Sequence, residues 1–273
     1  MGILDGRRAF ITGSTRGIGL EIAKSVSRAG AKVLLHGSRH ASTAQDAAAA
    51  CAFQGSPAPV IAGDLTGPMP EGVIKVADAA IAAEPNIDTL VCNAGTFIDQ
   101  PFLEMDFETF DRTMKLNVYS QFVIIQHFAR RWVQHKVSGR ILLIGSINGR
   151  LSETVHVAYD SSKGAIDAMV RSLCVALAPL GIRVNGLAPG LVRTPLTAPA
   201  IDDPRFRRWM ELHTPNGKVP DADVCGDVAA FLLSDAAEHI HGQMLLVDGG
   251  MSAWQQPDPP DDWMPVSTSR GSA

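Results

Sequence analysis

Cysteine is sparse in this chain and widely scattered. Cys51, Cys92, Cys174 and Cys225 form no Cys-x-x-Cys pair, so neither a zinc site nor a disulfide framework is indicated. No metal is expected, and a reduced, cytoplasmic setting fits. Cys92 and Cys174 lie in apolar runs and read as small buried hydrophobes. Charge is modest: charged residues make up 19% and the net charge is −4. No basic stripe points to nucleic acid, and no acidic block points to a solvating tail. No run approaches the roughly 18 apolar residues of a membrane span. The opening Met-Gly-Ile-Leu-Asp-Gly-Arg-Arg has no apolar core for a signal peptide, and Gly6 breaks the N-myristoylation pattern.

What is present is apolar material in short, ordered pieces. The chain has 273 residues, 46% of them apolar, enough for one large α/β domain or two small ones. Seven β-type runs occur at 9–12, 32–35, 59–62, 89–92, 140–144, 182–185 and 244–247. Helical stretches alternate with them, at about 17–29, 42–53, 71–83, 106–136, 155–179 and 222–234. Near-continuous apolar strands are buried on both faces, as in a parallel sheet covered by helices. The pattern predicts a single doubly wound α/β domain over 1–251: a seven-stranded parallel sheet with helices on both faces. From 252 to 273 the composition turns to proline and aspartate, and an irregular or flexible tail is expected there. Trp254 and Trp263 are apolar anchors within it.

In a doubly wound sheet the ligand crevice lies at the carboxyl ends of the strands. Gly13-Ser14-Thr15-Arg16-Gly17-Ile18-Gly19 joins the first strand to the first helix. Glycines there allow a sharp turn and close backbone approach, and the helix N-terminus offers N–H groups to a pyrophosphate. The spacing is G-x-x-x-G-x-G, which matches the common dinucleotide fingerprint only loosely. The stretch Lys32–His40 contains no acid where an NAD site would place one for the ribose 2′-hydroxyl. It offers Gly37, Ser38 and Arg39 instead, while Arg16 lies inside the glycine loop. Arginines accept a 2′-phosphate, so NADP(H) is expected over NAD(H); the alternative is that both are ordinary surface charges. Asp64-Leu65 either flanks the adenine or simply turns the chain. Asn93-Ala94-Gly95 either lets a ribose or nicotinamide lie close or forms a plain bend. Asn117, unfavourable in mid-helix, is expected to face a polar network.

Tyr159 and Lys163 stand four residues apart, and Ser146 precedes the tyrosine by thirteen. In a helix, i and i+4 share a face, so phenol and ammonium project together. A positive charge beside a phenol favours the phenolate and lowers its pKa. The pair reads as a proton-transfer device, with Ser146 a hydrogen-bond donor to the proton acceptor. The alternative is an exposed helix face.

Taken in order, Thr12-Gly13-x-x-x-Gly17-Ile18-Gly19, Asn93-Ala94-Gly95, Asn117, Ser146, Tyr159-x-x-x-Lys163, Pro189-Gly190 and Val247-Asp248-Gly249-Gly250 resemble the classical short-chain dehydrogenase/reductase family, from about Arg7 to Met251. The resemblance implies a Rossmann-like fold and hydride transfer between a nicotinamide cofactor and a carbonyl or secondary alcohol. It implies Tyr159 as general acid or base, and Lys163 lowering its pKa and binding the nicotinamide ribose. Ser146 would hold the substrate oxygen, and Asn117 would position a water in a proton relay. Pro189, Gly190, Val192 and Thr194 correspond to the segment at the nicotinamide end. Family members are mostly tetramers or dimers built on their two longest helices, so a homotetramer or dimer is implied.

Substrate selectivity would come from the loop after Ser146 and the segment after Gly190. Asn148, Arg150, Glu153, His156 and His213 are polar candidates, with Asn148 and His156 nearest the motif; Trp209 and Met210 could wall the pocket. The balance favours a sugar, polyol or small oxo-compound over a steroid or long acyl chain. Prolines and small residues after Thr194 suggest a mobile lid. A 3-oxoacyl-[acyl-carrier-protein] reductase is the rival enzyme, and would show a basic docking patch. A non-catalytic NADP(H) sensor would need no proton donor.

Overall fold

The computed structural model describes residues 2–39 and 42–253. Seven parallel strands form one sheet in the order β3-β2-β1-β4-β5-β6-β7. In chain order the elements begin with β1 (Arg8–Ile11), α1 (Gly17–Arg28), β2 (Lys32–Gly37), α2 (Ser42–Ala50) and β3 (Val60–Ala62). Next come α3 (Glu71–Ala83), β4 (Thr89–Cys92), α4 (Phe107–Met114), α5 (Ser120–His135), β5 (Arg140–Ile144) and α6 (Val157–Leu177). The chain continues with β6 (Arg183–Pro189), α7 (Ala198–Ile201), α8 (Pro204–Leu212), α9 (Gly226–Leu233) and β7 (Met244–Val247). The order reverses between β1 and β4, which opens a crevice at the carboxyl ends of those two strands.

The central strands are buried along their whole length, β4 and β5 at every residue, which is why they read as unbroken apolar runs. Two cores follow, one on each face. Phe10, Leu90, Phe128, Trp132 and Val170 fill one beneath α3, α5 and α6. Ile11, Ile22, Val91, Leu142 and Leu233 fill the other beneath α1 and α9. Trp132 is buried with its indole N–H donating to the Ile87 carbonyl at 2.6 Å. Truncating it would cost about 3–5 kcal/mol.

The expected helix 106–136 is not continuous. Asp106 caps α4, its carboxylate accepting from Thr109 N at 2.7 Å. The chain then makes a π-helical turn at Lys115–Tyr119 before α5 begins. A π-turn inserts one extra residue into a helix and re-aims the side chains around it. The expected helix 42–53 stops at Ala50, and the one at 222–234 opens with a 3₁₀ turn, Ala222–Cys225. The expected tail lies outside the described residues except for Ser252 and Ala253, which belong to a 3₁₀ turn, Met251–Ala253. Trp254 and Trp263 are therefore not described, nor is His40. Among the described residues no helix is long and apolar enough to cross a membrane.

Candidate active site

β5 delivers Ser146, which caps a 3₁₀ turn, Ile147–Gly149, by accepting from Asn148 N at 3.1 Å. The first turn of α6 carries Tyr159, and Lys163 follows one turn later. The Lys163 Nζ lies 5.5 Å from the centre of the Tyr159 ring and donates to the Ile144 carbonyl at 2.9 Å. So Ser146, Tyr159 and Lys163 converge at the end of β5. Burial pushes the Tyr159 phenol up to about 12; a hydrogen bond with Ser146 opposes this, and the Asp160 and Glu153 carboxylates add to it. Burial pushes Lys163 down to about 8. Lys163 is not among the groups that shift the Tyr159 phenol; burial dominates. In the protein alone, both groups lose solvent, and each is driven toward its neutral form.

Asn117 sits in the π-turn and is fully buried. Its Nδ2 donates to the Thr96 carbonyl at 2.8 Å and to Ser162 Oγ at 3.0 Å, while Oδ1 accepts from Thr96 N at 2.9 Å. Ser162 Oγ in turn donates to the Tyr159 carbonyl at 2.6 Å. The polar network expected around Asn117 is therefore a staple between the segment after β4 and the Tyr159 turn. Both side-chain N–H groups are used in it. A relay through Asn117 would have to use Oδ1 or the main-chain carbonyl.

The glycine loop has a Cβ-free floor. Gly13 has φ +63°, and a Cβ on it would meet Ala94 Cα at 2.9 Å. A Cβ on Gly19 would meet Asn93 Nδ2 at 2.3 Å. That amide donates to the carbonyls of Thr12 and Gly13 at 2.9 and 3.0 Å, so the Asn93 side chain staples the loop. Ser14 is fully buried, with Oγ donating to the Ile11 carbonyl at 2.7 Å, and its side chain cannot reach a phosphate. Thr15 and Arg16 precede α1, whose first turn has no side-chain cap. Its N–H groups, up to Ile18, are free to face an anion.

His36 was not visible as a site residue in the sequence. It is buried at the end of β2, where Nδ1 accepts from Gly13 N at 3.1 Å and Nε2 donates to the Gly63 carbonyl at 3.0 Å. Burial lowers its pKa, against the Gly63 hydrogen bond and the Asp64 charge. The neutral ring thus brackets the glycine loop and the end of β3. Ser38 and Arg39 follow it at the surface, and Arg16 is exposed across the loop. No ion pair engages either arginine among the described residues, so the pair is available to a phosphate. Asp64 accepts from Thr66 N and Thr66 Oγ1 at 2.8 and 2.7 Å, and these bonds lower its pKa. Leu65 is buried in the core, so only its main chain could meet an adenine.

The segment after β6 closes the far side. The Gly190 N–H donates to the Val247 carbonyl at 2.9 Å, Val192 is buried, and Thr194 comes within 3.6 Å of where a Gly17 Cβ would stand. Pro189 to Thr194 thus borders the glycine loop. The expected lid is two short helices, α7 and α8. Met210 is buried, and Trp209 stacks on His213 at 3.9 Å between ring centres, half-exposed.

Phe97, His156 and Tyr159 form a three-ring cluster, with centres 5.5–5.9 Å apart and edge-on geometry. Asn148 does not face open space: its Nδ2 donates to Glu153 Oε1 at 3.1 Å and Asp160 Oδ1 at 2.8 Å. Arg150 turns to Asp167 at 3.8 Å. Phe97, Asp99, Thr96 and Ser162 join the site only through the fold; nothing in their sequence context marks them.

A family model described as enoyl-(acyl carrier protein) reductase matches residues 13–252. The chain is 32% identical over 246 residues to L-rhamnose 1-dehydrogenase (NADP(+)) of Thermoplasma acidophilum, covering 90% of this chain and 96% of that one. It is 34% identical over 257 residues to galactitol 2-dehydrogenase (L-tagatose-forming) of Cereibacter sphaeroides, covering 92% and 97%. A crystal structure of a gluconate 5-dehydrogenase from Burkholderia cenocepacia, in complex with NADP and tartrate, superposes with a TM-score of 0.85 at 32% identity, covering 92% of this chain and 97% of that one.

Proposed function

The chain belongs to the classical short-chain dehydrogenase/reductase family, oxidoreductases acting on CH–OH groups, and on that premise we propose an NADP(H)-dependent enzyme that interconverts a secondary alcohol and a carbonyl in a sugar or polyol. The observation that carries this reading is the meeting of Ser146, Tyr159 and Lys163 at the end of β5, beside the uncapped glycine loop. A nicotinamide cofactor held along the glycine loop would supply hydride to the carbonyl carbon in reduction or take it from the carbinol carbon in oxidation. Tyr159, a neutral phenol, donates its proton to the carbonyl oxygen in reduction and takes one back in oxidation. Ser146 donates a hydrogen bond to that oxygen as charge grows on it. Lys163 stabilises the phenolate left behind, and Asn117 holds the tyrosine turn in place.

Arg16, Ser38 and Arg39 are assigned to the adenosine 2′-phosphate, with no acid in β2 or the two residues after it to repel one. The loop from Gly13 to Gly19 is assigned to the pyrophosphate. Asp64 and Leu65 are assigned to the adenine, the Asn93–Gly95 turn to a ribose or the nicotinamide, and Pro189, Gly190, Val192 and Thr194 to the nicotinamide end. The similarity to rhamnose and galactitol dehydrogenases supports the sugar or polyol class. An acyl-carrier-protein partner would call for a basic docking surface, whereas Glu153 and Asp160 lie near Tyr159 and Asp99 pairs with the adjoining His156.

The same reading makes the protein a cytoplasmic homotetramer or dimer. Its four cysteines are free, and the outer faces of α5 and α6 expose Phe122, Val133 and Val175. Light scattering tests the assembly: a monomer at micromolar concentration would reject it.

The function is tested by following nicotinamide absorbance with sugars and polyols plus NADP⁺ or NAD⁺, and with oxo-compounds plus NADPH or NADH. Turnover with NADP⁺ is expected, and Tyr159→Phe should abolish it while NADPH fluorescence titration still shows binding. Retained turnover in that variant would sink the mechanism. Tighter binding of NADH than NADPH would reject the roles of Arg16 and Arg39.

A further inference from the structure

We propose that the substrate of this site is a neutral polyhydroxy compound, an aldose or alditol, and that the charges around Tyr159 turn away sugar acids. This rests on the dehydrogenase reading above and narrows its substrate class. Tyr159 must meet the reacting oxygen, so the rest of the substrate lies among the groups beside its ring.

Those groups are mostly acidic. His156, edge-on to Tyr159 at 5.8 Å, holds Asp99 Oδ1 at 2.7 Å from Nε2 and Glu153 Oε1 at 3.3 Å from Nδ1. These two carboxylates raise the imidazole to about 9, the hydrogen bond with Glu153 contributing most, against its partial burial. Asp160, next to the tyrosine, accepts from Asn148 Nδ2 at 2.8 Å and from Glu153 N at 3.0 Å. Three carboxylates against one imidazolium leave the mouth negative. The field reaches the reacting group, since Asp160 and Glu153 both push the Tyr159 phenol upward.

Among the described residues, the one cation recorded against the Tyr159 ring is Lys163. The imidazolium is only 13% exposed and faces two carboxylates, hydrogen-bonded to Asp99 and close to Glu153. Arg150 turns to Asp167 and Arg193 to Asp202. Arg205, Arg207 and Arg208 are exposed on α8. Lys163 is buried and donates to a carbonyl. Recognition of a carboxylate needs an arginine fork or a free ammonium, and among the described residues neither is recorded against Tyr159 or His156. The mouth does offer acceptors: the side chains of Asp99 and Glu153 remain 62% and 57% exposed, with oxygens free for sugar hydroxyls.

The experiment measures kcat/KM for matched pairs with one carbon skeleton, D-glucose against D-gluconate and galactitol against D-galactonate, at low and high salt. The neutral partner should lead by about ten-fold or more at low ionic strength, with the gap narrowing in salt. Glu153→Gln and Asp99→Asn should each shift the ratio toward the acid, with thermal midpoints recorded as a folding control. An aldonate turned over as well as its neutral partner overturns the proposal and leaves the dehydrogenase reading standing. So does a neutral preference that neither substitution shifts. Turnover with neither class overturns both.

Discussion

At the amino ends of the strands, basic side chains meet oxygens that pair with them, whereas at the carboxyl ends Lys163 and His36 are buried against main-chain partners and Tyr159 is half-buried near Asp160 and Glu153. Lys32 and Arg8 pair with Glu84 at 2.8 and 3.5 Å, and Arg7 with Asp88 at 3.4 Å. Burial alone would raise Glu84; the Lys32 and Asn86 hydrogen bonds and the Lys32 and Arg8 charges outweigh it and hold it below the usual range. Arg140 and Arg183, register partners in β5 and β6, cap the last carbonyls of α9: Arg140 binds Leu233 and Asp235, and Arg183 binds Leu232 and Ser234 at 3.1 and 2.7 Å. The amino end is satisfied chemistry, suited to holding the sheet. The carboxyl end keeps phenol, amine and imidazole away from their ordinary pKa values, as reactive sites do.

Substitutions can break this contrast. The largest effect is expected from Tyr159→Phe, which should lower kcat by about a thousand-fold or more in either direction while the thermal midpoint holds. A large loss of stability there would mean that the carboxyl end also carries the fold. Next is His36→Ala, which leaves the Gly13 N–H and the Gly63 carbonyl without partners. KM for NADP(H) should rise about ten-fold, more than kcat falls, with partial rescue by His36→Asn. Steady-state kinetics decide it; an unchanged KM would show that the bracket is idle.

Arg140→Ala probes the other end. It should lower unfolding free energy by about 1 kcal/mol in denaturant titration, with kcat/KM per folded molecule unchanged. The smallest effect concerns His156. Its folded pKa, about 9, stands above the ordinary 6.5, so its pairing stabilises fully below pH 6.5 and is lost as pH rises through 9. Thermal midpoints from pH 6 to 10 should fall more gently in His156→Gln than in the parent. Parallel slopes would mean that the imidazolium pair adds no stability.

The strands were legible because parallel strands buried on both faces leave unbroken apolar runs, as at Leu142 and Val91. The Tyr159–Lys163 spacing was legible because helical periodicity alone puts them on one face. The π-turn was not, since Lys-Leu-Asn-Val-Tyr carries no signal against continuing a helix. Nor was the His36 bracket, whose partners Gly13 and Gly63 meet only when β1, β2 and β3 align. Asn148 read as a substrate ligand because it follows Ser146, but Glu153 and Asp160 occupy its amide. Distant pairing of this kind leaves no periodic trace.

The π-turn at Lys115–Tyr119 sets a helical phase. α4 lies near the site while α5 shows an apolar face to the outside, and one extra residue lets the two point independently. Each residue of an α-helix advances the phase by about 100°. Deleting a single residue there would either swing Asn117 off Thr96 and Ser162 or rotate Phe122 and Val133 out of their outward line. The stretch should therefore tolerate changes of side chain far better than changes of length.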